Sequence, residues 1–131
     1  MHELSIASAL MEGVLDFAER RSAGRILEVR LAVGELTAVD QEQLRFCFNS
    51  LCQGTPAEEA ELQIETIHVL VRCSSCSYHG PPKYWNDAQV HWAIPTLVCP
   101  QCGGSADAAQ GHECAIKAIR FSPQAVSQPS L

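Results

Sequence analysis

Apolar residues recur at three- and four-residue spacing over residues 3–20: Leu4, Ala7, Met11, Val14, Leu15 and Ala18, widened by Ile6, Leu10 and Phe17. Glu12, Asp16, Glu19 and Arg20 take the polar positions, so the period predicts an amphipathic helix. Gly13 within it costs about 1 kcal/mol relative to alanine, and Gly24 lies just past the expected end. Leu27, Val29, Leu31 and Val33 then alternate with Glu28, Arg30 and Ala32, the period of a strand, which Gly34 closes. A second helix is expected over about 40–52. Asp40 can cap it, Gln43 sits three residues on, Val39 can staple onto Leu44, and Gly54 suits its C-terminal end. Its buried stripe reads Leu44, Cys47, Phe48 and Leu51. A second strand runs from Leu62 to Val71, its alternation changing phase between Ile64 and Ile67, which suggests a bulge or a twist. A third strand, about 113–121, carries Ile116, Ile119 and Phe121.

The pattern therefore predicts an α+β fold: a small mixed sheet with two helices, formed by residues 1–70 and 112–121, interrupted by an insertion at 71–111. The tail 122–131, with two Pro, three Ser and two Gln, is expected to be disordered. The insertion is poor in long apolar runs and holds Pro81, Pro82, Pro95 and Pro100. Such a segment needs a cross-link to hold together. Tyr84, Trp85 and Trp92 are its expected apolar filling, with His91 also read as a packing residue.

Composition narrows the function. The chain has 131 residues, 47% hydrophobic and 18% charged, enough to bury a core. Its net charge of −6 argues against a phosphate-backbone binder, so no nucleic-acid partner is expected. The sequence has no apolar run long enough to span a membrane, and no basic segment ahead of an apolar one to suggest a secretory signal. A cytoplasmic protein without a membrane partner is expected. Seven cysteines, four of them in two C-x-x-C pairs, favour metal ligation in a reducing compartment over a disulfide framework.

Cys73-Ser-Ser-Cys76 and Cys99-Pro-Gln-Cys102-Gly-Gly supply four thiolates that can wrap one tetrahedral ion. Zn(II) is the usual occupant, and iron also suits four sulfurs. Gly103 and Gly104 leave room for backbone amides near the thiolates. His79, three residues after Cys76, could join or support the site, or be an ordinary loop histidine. A second set of donors stands at Met1-His2-Glu3. The Met1 amine, the His2 imidazole and nearby backbone nitrogens approximate a planar nitrogen set, which suits Ni(II) or Cu(II). The bulk of His2 should leave Met1 uncleaved. By itself, a histidine at the second position is a weak signal.

Met1-His2-Glu3-Leu4-Ser5, Val33-Gly34-Glu35-Leu36 with Val39, then Leu44, Phe46, Phe48 and the paired cysteines, resemble the HypA/HybF hydrogenase maturation factors. Gly111-His112-Glu113, with Ile116 and Ile119 after it, adds to a likeness that runs from Met1 to about Phe121. The resemblance implies a nickel metallochaperone for [NiFe]-hydrogenase assembly, with some members also serving urease, and no catalytic activity of its own. It implies a nickel-binding α/β domain with a zinc domain inserted, His2 as principal nickel ligand beside Glu3 and the Met1 amine, and Cys73, Cys76, Cys99 and Cys102 as zinc ligands. The GTPase HypB and the hydrogenase large-subunit precursor are the implied partners; whether the chain forms a homodimer stays open. Three features depart from the family pattern: Cys114 where an aliphatic residue is common, no Gly directly after Cys76, and extra thiols at Cys47 and Cys52, read as small buried hydrophobes. The rival readings are a zinc-ribbon interaction module, which leaves Met-His-Glu unexplained, and a C-x-x-C redox enzyme, which needs only one pair. A hydrolytic zinc enzyme fits worst, since four sulfurs leave no open position for water.

Overall fold

The computed structural model describes residues 3–85 and 94–123. The first helix, α1, spans Glu3–Arg20 and buries Ile6, Ala7, Leu10, Met11, Val14 and Ala18. Leu4, expected on that stripe, is exposed instead. Ser22, with φ 50°, takes the left-handed turn after the helix, while Gly24 already lies in the first strand, β1 (Ala23–Gly34). A second helix, α2 (Gln41–Cys52), packs on α1. Its start follows the sequence: Asp40 Oδ1 accepts from the Gln43 amide at 3.1 Å. Its end does too, because Gly54 follows the C-cap with φ 78°. Cys47 and Cys52 are buried on α2, and burial alone pushes the Cys52 thiol up to about 11.

The expected strand Leu62–Val71 is two strands. β2 (Glu61–Ile67) pairs with β1, whereas β3 (Leu70–Cys73) belongs to a different sheet. The change of phase in the alternation marks this crossing: Leu62 is buried in one unit, and Val69 and Val71 are fully buried in the other. The chain continues through β4 (His79–Gly80), β5 (Tyr84–Trp85), β6 (Ile94–Pro95), β7 (Ala106–Gln110) and β8 (Cys114–Pro123). The strand orders are β2-β1-β8, β4-β3-β7 and β5-β6. β8 runs two residues into the segment expected to be a disordered tail, and Ser122 Oγ accepts from the Arg25 amide at 3.2 Å. Residues 124–131 lie outside the described residues.

By its contacts the chain forms two units, one of Met1–Leu31, Val39–Glu65 and Ala115–Leu131, the other of Ala32–Ala38 and Thr66–Cys114. The second unit thus takes in 32–38, 66–70 and 112–114, which the pattern had assigned to the first. In the first unit, α1, α2 and β1 supply most of the buried side chains, with Phe48, Ile26, Leu31 and Leu44 the largest. In the second, Val69, Val71, Cys73, Cys99 and Ala106 form the core, with Leu36 and Tyr78 packed against it. Of the expected aromatic filling, Trp85 is 50% exposed and Tyr84 is half-buried, while Trp92, like His91, lies outside the described residues.

Candidate metal centre

Two knuckles of like build bring the four cysteines together. β3 ends on Cys73, and β4 returns antiparallel to it, pairing Arg72 with His79 and Val71 with Gly80. The Cys73 amide closes the intervening turn by donating to the Tyr78 carbonyl at 2.9 Å. In the second knuckle the Cys99 amide donates to the Gly104 carbonyl at 2.8 Å, the same five-residue span. Each turn needs a left-handed residue directly after its second cysteine. Gly103 fills that place with φ 76° and open space around its α-carbon, while Ser77 fills it in the first knuckle with φ 62°. The serine therefore adopts the conformation that a glycine after Cys76 would have supplied.

The four Sγ atoms lie within 4.8 Å of one another, the one group of three or more such ligands among the described residues. Across the knuckles, Cys73 and Cys102 are 3.6 Å apart and Cys76 and Cys99 3.4 Å. Tetrahedral Zn–S bonds of about 2.3 Å would put sulfurs about 3.8 Å apart, so the donor set fits such an ion. These separations are far from the bonded S–S length of about 2.05 Å, and all seven cysteines are free. The first cysteine of each pair is buried and the second is exposed.

Backbone amides polarise the set. Those of Cys76 and then Ser75 bring the Cys73 thiol down to about 7. At Cys99 burial opposes ionisation, but the Cys102 and Gln101 amides, 3.5 and 3.4 Å from its sulfur, outweigh it and lower the pKa. Cys76 goes the other way: the Tyr78 amide favours its thiolate, yet proton sharing with Cys99, burial, and the Cys73 and Cys102 sulfurs together push it up to about 12. Cys102 is raised too: the Gly104 amide and Cys76 favour its thiolate, but the Cys73 and Cys99 sulfurs together with burial overcome them. Four thiolates so close repel one another, and a divalent cation removes that repulsion.

His79 is exposed on β4 and is not among the clustered ligand atoms. Glu3 opens α1, where a carboxylate favours the positive end of the helix dipole. Met1 and His2 lie outside the described residues. Cys114 stands exposed at the start of β8, its thiol raised by partial burial.

A further constellation carried no assigned chemistry in the sequence. Glu35 opens a 3-10 turn, Glu35–Thr37, directly after β1. Its Oε1 accepts from the Val69 amide at 2.6 Å and from the Tyr84 hydroxyl at 3.0 Å, with His68 Nδ1 at 3.3 Å. Burial, and then Glu35 itself, raise the Tyr84 pKa. The only sequence signal was the run Gly34-Glu35-Leu36, an acidic residue between a glycine and a hydrophobe after a strand.

The sequence profile described as "Hydrogenase/urease nickel incorporation, metallochaperone, hypA" matches residues 1–121. A hydrogenase maturation factor HypA of Methanopyrus kandleri is 39% identical, the alignment covering 92% of this chain and 93% of that protein. Its counterpart in Methanothermobacter thermautotrophicus is 38% identical, over 92% and 97%. The solution structure of the Ni metallochaperone HypA from Helicobacter pylori shares the fold, with a TM-score of 0.64 at 24% identity, covering 94% of this chain and 99% of that one. With the four-cysteine cluster in place and the profile matched over nearly its whole length, this chain belongs to the HypA family of nickel-incorporation metallochaperones that serve hydrogenase maturation.

Proposed function

We propose that the chain carries Ni(II) at its N-terminus, on the Met1 amine, the His2 imidazole and Glu3, and hands it on during assembly of a [NiFe]-hydrogenase. Membership of a nickel-incorporation family, in a chain that opens Met-His-Glu, is the observation that carries this reading. Cys73, Cys76, Cys99 and Cys102 hold Zn(II) as a structural ion, which ties the two knuckles together and contributes to folding of the second unit. Four sulfurs leave that ion no open position, so cargo exchange belongs elsewhere. A site built from few protein ligands allows a metal to leave by stepwise ligand substitution. The receiving protein in this reading is the hydrogenase large-subunit precursor, with the GTPase HypB as working partner in the cytoplasm; urease is a second client class, favoured by the family description.

Nickel binding to the untagged protein, measured by calorimetry with metal analysis alongside, tests the reading. His2→Ala, and separately a short extension placed before Met1, are expected to abolish tight nickel binding while zinc stays at one per chain. Full affinity in both variants would reject the terminal site. Because protons compete for the imidazole, affinity is expected to fall as pH drops through about 6.5.

A further inference from the structure

Residues 32–38 precede the first C-x-x-C pair by a whole helix and strand, yet they belong to the cysteine unit. The Gly34 amide donates to the Glu113 carbonyl at 2.6 Å, and the Leu36 amide to the Gly111 carbonyl at 2.9 Å. Glu113 is itself braced, its Oε1 accepting from the Gly111 amide at 2.6 Å. Gly34 and Gly111 approach so closely that a Cβ on Gly34 would overlap the Gly111 carbonyl group. Between these anchors, Glu35 takes hydrogen bonds from Val69 and Tyr84 on one carboxylate oxygen. Leu36 lies on the core that contains Cys73 and Cys99, the buried member of each pair.

We propose that this strap is a metal-responsive latch: loading the four cysteines fixes the platform on which Leu36 rests, and Glu35 is the positioning residue that holds the strap there. The inference rests on reading the four cysteines as a metal site. An ion that draws four sulfurs together removes their mutual repulsion and orders the residues around Cys73 and Cys99, two of the five side chains in that core. An ion that binds only the ordered form stabilises whatever is docked on it, and docking of the strap strengthens metal binding by the same factor. The strap is the direct continuation of β1, so occupancy of the cysteines fixes the conformation of the chain segment on which that strand ends.

Amide hydrogen exchange of the full chain, followed residue by residue by NMR with zinc content measured in parallel, tests the latch. Chelation of zinc is expected to raise exchange at Gly34, Leu36 and Val69 by about tenfold or more, the worth of one strong hydrogen bond, while Val29 and Leu31 in β1 stay protected. With zinc bound, Glu35→Ala is expected to do the same at Leu36 and Val69. Glu35→Gln, which keeps an acceptor, should restore protection. Should the alanine variant not fold, Tyr84→Phe removes one of the two hydrogen bonds and is expected to raise exchange at Val69 severalfold. Equal rates with and without zinc, in a chain shown to bind it, would overturn the latch and leave the metal site standing. Wild-type protection in Glu35→Ala or Tyr84→Phe would overturn the role of Glu35. A chain that takes up no zinc would sink both readings.

Discussion

Gly34→Ala tests the strap by sterics alone. An alanine Cβ there would overlap the Gly111 carbonyl oxygen and carbon and come within 2.8 Å of the His112 amide nitrogen, all backbone atoms that cannot rotate aside. The segment must lift, and the Gly34-to-Glu113 and Leu36-to-Gly111 hydrogen bonds are lost with it. Each is worth about 1 kcal/mol net, and pulling the half-buried Leu36 off its core adds about 1 kcal/mol more. The expected loss is about 3 kcal/mol, a large share of the roughly 5–15 kcal/mol that holds a domain of this size. The second unit has its own reporter, because Trp85 falls within it. Urea unfolding followed by tryptophan fluorescence should shift to lower midpoint, whereas the circular dichroism of α1 and α2 should move less. Gly54→Ala is the control: Gly54 also has positive φ but has nothing within 4 Å of a Cβ, so only conformational strain of about 1 kcal/mol is expected. If Gly34→Ala costs no more than Gly54→Ala, the close-approach argument fails.

Ser77→Gly relieves a left-handed residue in the first knuckle and should stabilise the zinc-loaded protein by about 1 kcal/mol, read as a higher urea midpoint; a lower one would mean that the serine side chain has a role of its own. Gly13→Ala in α1 places its Cβ in ordinary contact, 3.8 Å from Ile116 Cδ1, so a gain of up to about 1 kcal/mol and a melting temperature higher by a few degrees are expected. Glu28 is a buried carboxylate held below its usual pKa by the hydrogen bond from Arg30 and then by the charges of Arg30 and Arg120. A lowered folded-state pKa means that its contribution is present above the unfolded value of about 4.3 and is lost as pH falls through the folded one. Glu28→Gln should therefore flatten the acid limb of stability measured from pH 7 down to pH 3, and an unchanged limb would show the pair to be silent.

Both helices were legible in the sequence because their apolar spacing and caps are local: Asp40 and Gly54 need only their neighbours to act. The four cysteines were legible because tetrahedral ligation constrains residue type and spacing together. What escaped the pattern is non-local. The strap reads as the end of a strand, and only the approach of Gly111, far along the chain, gives Gly34, Glu35 and Leu36 their work. β7, Ala-Asp-Ala-Ala-Gln, has too little contrast between its faces to show a period, yet Ala106 is part of the second core. The phase change after Ile64 was visible, but whether it marked a bulge or a crossing depended on which core Val69 and Val71 serve. Trp85 misled because size suggests burial, while the core of the second unit, among the described residues, is built of two valines, an alanine and two cysteines, with Leu36 and Tyr78 against them.

The unequal burial within each cysteine pair gives the cluster a front and a back. An oxidant or chelator diffusing in from water meets Cys76 and Cys102 first, while Cys73 and Cys99 stay sheltered behind them. Dismantling should then be ordered, the two outer sulfurs letting go before the two inner ones. The half-released intermediate would keep its grip through the pair that the protein interior guards.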